Sequence, residues 1–524
     1  MSISLSPKKK PSQRWIYILV IALLVSACQP QASGFVFLST QQADTTMQAP
    51  GSDLSSTNPE GGAKPTPPYP SRPRYLPGEQ VDYTAQEGDT LPYLASRFNT
   101  SVEAILEANS FIPASATTMP PGMPMKIPIY YLPLWGSPYR ILPDSLFVNG
   151  PAQVGFDTQD FVNTHPGWLK HYKSYVADVN RSGAEIVDYV AHYWSVSPRL
   201  LLALLEYHSG ALSQPVLPQD KEDYPLGSRF WNRKGLFLQL VWAANLLNNN
   251  YYEYKDMGLN QIIHSDERIT RFDPWLNAAT VSLHVYFNIL FDYEEFLHAT
   301  SADGLARTYA NLFGDPWENP QPHIPGSLVQ PDFILPFEPG DVWALTGGPH
   351  TGWGNGAPLA ALDFAPPSKI SGCVRSGVWA TAVADGVVVR STIGEVMLDL
   401  DGDGDERTGW AIFYMHVGSE GRALMGTSLK QGDRIGHPSC EGGTSTGTHI
   451  HVARKYNGEW LPAAGIAGVL PFSLEGWIAH NGSQVYLGTL TRNSRVVSAC
   501  VCSNAASFIH SDRVAVTPEL ETNQ

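Results

Sequence analysis

The residues with the most chemistry lie in the last third of the chain. His449-Ile450-His451 follows the small-residue run Gly442 to Thr448. On a strand, residues i and i+2 face one side, so His449 and His451 project together and Ile450 into the opposite layer. Two imidazoles side by side on a sheet are costly unless a metal or hydrogen bonds use them. Neutral imidazole plus carboxylate is a donor set that zinc accepts, with water in an open position. Suitable partners stand upstream. His350 follows Gly347-Gly348-Pro349, Asp363 sits in Ala361-Leu362-Asp363-Phe364-Ala365-Pro366, and His416 ends the run Trp410 to Met415. The chain has 15 histidines, so His-x-His alone is a weak signal; the runs around it make it specific.

The elements that must position these groups read as strands. From about Phe337 to Ala499 the text is glycine-rich, with short alternating runs at Val378 to Val383, Gly386 to Arg390 and Trp410 to Met415. Turn signals separate them, which predicts an antiparallel β domain. Between two runs, Asp399-x-Asp401-x-Asp403-Gly404 looks like the start of a calcium loop. Its twelfth position is Trp410 rather than glutamate, and no flanking helices are apparent. Two readings stay open: a solvated hairpin tip, or a weak Ca2+ site at Asp399, Asp401 and Asp403.

Taken together, GGPH at 347–350, ALDFAPP around Asp363, ADGVVV at 384–389, YMH at 414–416, LKQGDRIG at 429–436 and GTSTGTHIH ending at His451 resemble the lysostaphin-type (LytM-like) zinc endopeptidases. The resemblance implies that His350, Asp363 and His451 bind one catalytic Zn2+, and that His416 and His449 are the non-ligand pair beside the metal-bound water. Zinc acidifies its water and polarises a peptide carbonyl; the two histidines would orient the water, stabilise the oxyanion or pass a proton to the leaving amine. There is one departure. The twelve residues TGWGNGAPLAAL separate His350 from Asp363, where the family has a much shorter gap, so the insert must loop out. Besides Cys28, the cysteines are Cys373, Cys440, Cys500 and Cys502, which allow three pairings. Cys373 with Cys440 is the expected bridge, since both lie in this segment and would pin loops beside the site. Cys500 and Cys502 would then bridge each other or stay free.

Further upstream, Val81 to Ile129 reads strand-helix-helix-strand. Asp89 or Thr90 is placed to cap the first helix and Thr100 or Ser101 the second. Leu91, Leu94, Ala95 and Phe98 carry helical spacing. Gly88-Asp89-Thr90-Leu91, Ala95, Phe98, Ile105, Asn109, Gly122 and Ile127-Pro128 resemble a LysM domain, which implies binding of N-acetylglucosamine-containing glycans, typically peptidoglycan. Residues 131–330 are apolar-rich and mostly helical, with predicted helices at Ile186 to Trp194, Pro198 to Tyr207, Leu236 to Leu247 and Pro274 to Phe296. SVSPRLLLALLEYHSGAL faintly resembles the catalytic helix of lysozyme-like transglycosylases. However, His208-Ser209 stands where that family has Glu-Ser, and Glu206 lies about 200° around the helix from that place. A helical spacer or a degenerate glycan-binding fold is the expectation.

The N-terminus reads as an address. Lys8, Lys9, Lys10 and Arg14 precede an apolar run from Trp15 to Ala27, too short for the roughly 20 residues of a spanning helix. Val25-Ser26-Ala27-Cys28 resembles a bacterial lipoprotein signal, which implies lipidation of Cys28 and anchoring on a membrane's outer face. A Pro/Ser/Thr-rich linker comes next, with a mean reach of about 40 Å.

Length and charge bound the rest. The chain has 524 residues, 43% hydrophobic, with a net charge of −15. Several folded units are expected, and a general nucleic-acid binder is excluded for want of basic surface. The organisation is a multidomain α+β chain: 1–27 signal peptide, 28–80 linker, 81–130 LysM, 131–330 helical domain, 335–505 antiparallel β peptidase domain, 506–524 tail. The expected function is an extracytoplasmic, membrane-anchored zinc metallo-endopeptidase acting on peptide cross-links of peptidoglycan. The alternative is a non-catalytic peptidoglycan-binding scaffold, or an activator of another murein hydrolase.

Overall fold

Alternating Val81 and Tyr83 form strand β1 (Glu79–Thr84), which pairs antiparallel with β2 (Pro124–Ile129). Helices α1 (Leu91–Arg97) and α2 (Val102–Ala108) lie between them, capped by the side chains of Thr90 and Ser101. Leu94, Phe98, Ile105 and Ile127 close this small core. In the computed structural model, residues 73–501 and 504–513 are described; the leader, Cys28, most of the linker and Cys502 lie outside them. The module is bonded to the helical segment downstream of it. Arg97 donates to the carbonyls of Pro274 and Leu276 at 2.6 and 2.9 Å, and Thr118 donates to that of Pro325 at 2.7 Å.

The helical segment contributes α3 (Gly183–Trp194), α4 (Pro198–Ser209), α5 (Leu236–Lys255) and α6 (Ala278–Leu290). Helix α3 starts three residues before its first expected apolar position, because Ser182 and Glu185 form a reciprocal capping box. Ser197 caps α4, with Pro198 in its first turn. The run expected to continue through Phe296 breaks instead. Phe291 is extended, and Asp292 caps a new helix over Tyr293–Ala299. The Glu206 carboxylate accepts from the N–H groups of Leu212 and Ser213 and ties down the chain after α4. His208 is a core residue, bonded to the Tyr286 hydroxyl at 3.0 Å and pushed down to about 3 by burial.

The C-terminal part is built on a nine-stranded antiparallel sheet. Its main strands are β3 (Val342–His350), β4 (Ala361–Ala365), β5 (Gly386–Thr392), β6 (Gly394–Asp399), β7 (Trp410–Val417), β8 (Ser428–Leu429), β9 (Ile450–Tyr456) and β10 (Phe508–His510). The order across the sheet is β8-β5-β6-β7-β9-β4-β3-β10. Residues from 506 onward were expected to be a tail; instead Phe508–His510 pairs with Val342–Ala344 and extends the sheet.

Strand alternation gives this sheet two different faces. Ile450, Val452, Ile412, Tyr414, Leu362 and Phe364 point into a core with Trp343 and Trp477. Ala453, Ala411, Phe413, Met397 and Ala361 point the other way and join the helical segment's core with Leu240, Leu247 and Tyr251. Each large apolar side chain buried there stabilises by about 1.5–3 kcal/mol. The helical and β segments therefore fold as one body over that face.

Candidate metal centre

Strand pairing brings the expected ligands together. Asp363 on β4 lies opposite His451 on β9 and opposite Gly347 on β3. The parity that puts Ala361 and Ala453 on the helix-covered face puts Asp363 and His451 there too. His350 ends β3, whose register shifts between Gly347 and His350, so its side chain turns back toward Asp363. The twelve-residue insert does loop out: 351–360 connects β3 to β4. Gly347 is required by this packing, since a Cβ there would lie 2.5 Å from Asp363 Oδ2.

His350, Asp363 and His451 each offer one ligand atom, all within 4.8 Å of one another and all buried. Asp363 Oδ1 is 2.8 Å from His350 Nε2 and 3.3 Å from His451 Nδ1. Four-coordinate zinc with bonds of about 2.0–2.1 Å holds its ligand atoms roughly 3.3 Å apart. Despite their closeness, His350 Nε2 and Asp363 Oδ1 are buried atoms with no hydrogen-bond partner. By distance they are an ion pair, but they are not aligned as a hydrogen bond; a cation between them would satisfy both. His451 turns its other nitrogen, Nε2, to the Gly352 carbonyl at 3.2 Å. A carbonyl only accepts, so that nitrogen carries the proton and Nδ1 is the free donor atom. His350 is held by stacking on Tyr486, 4.3 Å between centroids and 16° between planes.

The electrostatics fit a cation. Burial alone would raise the Asp363 carboxyl, but His350, His449 and His451 hold it well below the usual carboxylate range. Burial lowers His451, with His350 adding to the effect against the opposing pull of Asp363. Asp363 is thus held as the ionised carboxylate that a metal ligand must be.

His416 and His449 flank this group, their rings 4.4 Å apart. Nδ1 of His416 faces the Glu441 carbonyl at 2.9 Å, and Nδ1 of His449 faces the Gly447 carbonyl at 2.8 Å. Both Nδ1 atoms are therefore protonated, and each ring turns its Nε2 toward the site; that of His449 is 3.6 Å from Asp363 Oδ1. Burial and the neighbouring His449 and His451 push His416 down to about 4. His416 also adopts φ +63°, an uncommon backbone state for such a residue and one that clusters at functional sites.

Cys373 and Cys440 form a disulfide, Cα–Cα 5.8 Å. It ties the loop before Glu441, which holds His416, to the loop whose Gly372 carbonyl receives the Thr448 N–H at 3.1 Å. Trp353 of the insert packs against Tyr193 and Trp194 of α3. Sequence reasoning did not find Gly347, Tyr486 or the Gly352 carbonyl as supports. Only Gly347 lies in one of the recognised motifs, and Tyr486 is brought in from 136 positions beyond His350.

Residues 83–128 match the LysM domain model, and residues 140–326 match the model of the LasA N-terminal domain. The helical stretch with the faint lysozyme-like resemblance thus has a match of another kind. Among curated proteins, the chain is similar to Protease LasA of Pseudomonas aeruginosa, 26% identical over 62% of this chain and 75% of that protein. It is also similar to the beta-lytic metalloendopeptidase of Lysobacter enzymogenes, 29% identical over 26% of this chain and 73% of that protein. A solved structure, the M23 metalloprotease pseudoalterin from the deep sea, is 23% identical with a TM-score of 0.28, covering 33% of this chain and 96% of that one.

Proposed function

We propose that the chain is a cell-envelope zinc metallo-endopeptidase that hydrolyses peptide cross-links of peptidoglycan, with the LysM module engaging the glycan strands. The observation that carries this is the convergence of buried ligand atoms from His350, Asp363 and His451 within 4.8 Å, beside two further histidines. The relatives' names, a protease and a metalloendopeptidase, support the peptidase reading. His350, Asp363 and His451 would hold the zinc. Bound there, zinc supplies a Lewis acid that polarises a peptide carbonyl and acidifies a water. The Nε2 of His416 or His449 accepts the proton of the attacking water and returns one to the leaving amine. The Glu441 and Gly447 carbonyls keep both rings in the tautomer this needs.

The small-residue run before Cys28 supports lipidation there after removal of residues 1–27, and anchoring of an extracytoplasmic protein to the outer face of a membrane. The domain limits 28–80, 81–130, 131–330 and 335–505 stay as proposed, with the last extended to take in β10.

The test is muropeptide analysis after incubation with cross-linked peptidoglycan. It uses the intact chain and a Trp353→Ala variant, which uncouples the insert from Tyr193 and Trp194. New free amines from either are the expected result. New reducing sugar ends would indicate a glycosidase. No product from either would favour the scaffold.

A further inference from the structure

A second cluster of carboxylates lies apart from the metal centre. The hairpin between β6 and β7 carries Asp399, Asp401 and Asp403, one ligand oxygen from each lying within 4.8 Å of the others. Asp401 and Asp403 are exposed, but Asp399 is fully buried. Its Oδ2 accepts from the Gly404 N–H at 3.0 Å, while its Oδ1 is buried with no hydrogen-bond partner.

The charge around the hairpin is distributed unevenly. Asp405 is paired with Arg407, and Glu406 with Arg390, Lys455 and His192. Among the described residues, no lysine, arginine or histidine forms an ion pair with Asp399, Asp401 or Asp403. The local cations are thus taken up by the two acids that come next, and three converging carboxylates are left without a counter-charge. An unpaired buried carboxylate oxygen aimed into an acidic cluster is stabilised by a cation. The donors are all oxygen, which suits a hard divalent ion rather than zinc.

We propose that Asp399, Asp401 and Asp403 bind one Ca2+ at the β6–β7 hairpin, separate from the catalytic metal. Water completes the six to eight oxygen ligands that Ca2+ takes. The closing glutamate of an EF-hand is absent, since Trp410 holds that position. The affinity expected is therefore that of extracellular calcium modules, a Kd on the order of 10⁻⁴–10⁻³ M. The ion would stiffen a hairpin whose next residues grip the helical segment: Glu406 meets His192 on α3 at 2.8 Å, and Arg407 donates to the Gln153 carbonyl at 3.1 Å.

The experiment is calorimetric titration of Ca2+ into the zinc-loaded full chain, beside an Asp401→Asn/Asp403→Asn double variant. Both substituted residues are exposed, so folding is retained and circular dichroism checks it. One Ca2+ per chain is expected, lost in the double variant, with zinc content and peptidase activity unchanged by the substitutions. His451→Ala is expected to keep the calcium. No saturable Ca2+ binding by the parent chain, or binding that survives in the double variant, would overturn the site.

Discussion

Two buried clusters in this protein draw on the same kinds of side chain and are finished differently. One is His350, Asp363, His451, His449 and His416. The other is Glu87 of the LysM module, His323 of the connecting segment, Glu459 beside β9, and Lys255 and Tyr251 of α5. In the second, His323 Nδ1 meets Glu87 at 2.8 Å and Nε2 meets Glu459 at 2.7 Å. Lys255 and Tyr251 donate to the same Glu459, and Glu87 also takes the N–H groups of Ser145 and His323. Both imidazole nitrogens face carboxylates, so both are protonated. Two anions then balance two cations, and no side-chain polar atom of the cluster is left without a partner. In the first cluster, a nitrogen and an oxygen are left over. A cluster that satisfies itself fastens the fold; the other keeps two polar atoms that a cation would satisfy.

The largest effect should come from breaking the unfinished cluster. Asp363→Ala is expected to abolish metal binding and cleavage while leaving a folded chain, checked by metal analysis and circular dichroism. His416→Ala sharpens the point: it should keep stoichiometric metal yet lose about 10²–10⁴-fold in kcat, as expected for loss of a proton-transfer group. If both variants lost metal equally, the division into ligands and flanking residues would be wrong.

Breaking the finished cluster should do the reverse. His323→Gln leaves buried charge unpaired and is expected to cost about 3–5 kcal/mol of stability, read by denaturant unfolding, with metal content of the folded protein unchanged.

The same cluster sets a pH window. Burial opposes the charge on His323, but Glu87 and Glu459 override it and raise His323 from 6.5 to about 10. Its stabilisation is full below about pH 6.5 and drains away as pH rises toward 10. Burial likewise opposes the charge on Glu459, while Lys255 and His323 bring it from 4.5 down to about 2. That contribution is full above about pH 4.5 and is lost as pH falls toward 2. The His323→Gln variant should show a flatter alkaline limb in a melting-temperature profile; an unchanged limb would place the titration elsewhere.

The smallest effect tests the stack on His350. Tyr486→Leu should weaken metal affinity by up to about tenfold, the measure of a ring contact worth about 0.5–1.5 kcal/mol.

The two clusters also differ in how far the chain's text reveals them. The candidate metal centre was legible because its parts sit in short runs with their own chemistry: His-x-His on a strand, an aspartate framed by apolar residues, a histidine at a strand end. The LysM caps at Thr90 and Ser101 were legible for the same reason, being local. The His323 cluster was not. Glu87 and His323 are 236 residues apart, and His323 and Glu459 are 136 apart. Each reads alone as a solvated charge, and only tertiary packing makes them partners. The β10 edge strand was missed likewise, because three residues after a cysteine pair carry no period of their own and gain strand form only by pairing with β3.

The most direct test of the central claim is metal analysis with X-ray absorption spectroscopy on the purified full chain and its His451→Ala variant. One zinc per chain, with two imidazole nitrogens and carboxylate oxygen in the parent and loss of that zinc in the variant, is the predicted result. A well-folded parent without stoichiometric metal, or a variant that keeps the same zinc environment, would contradict it.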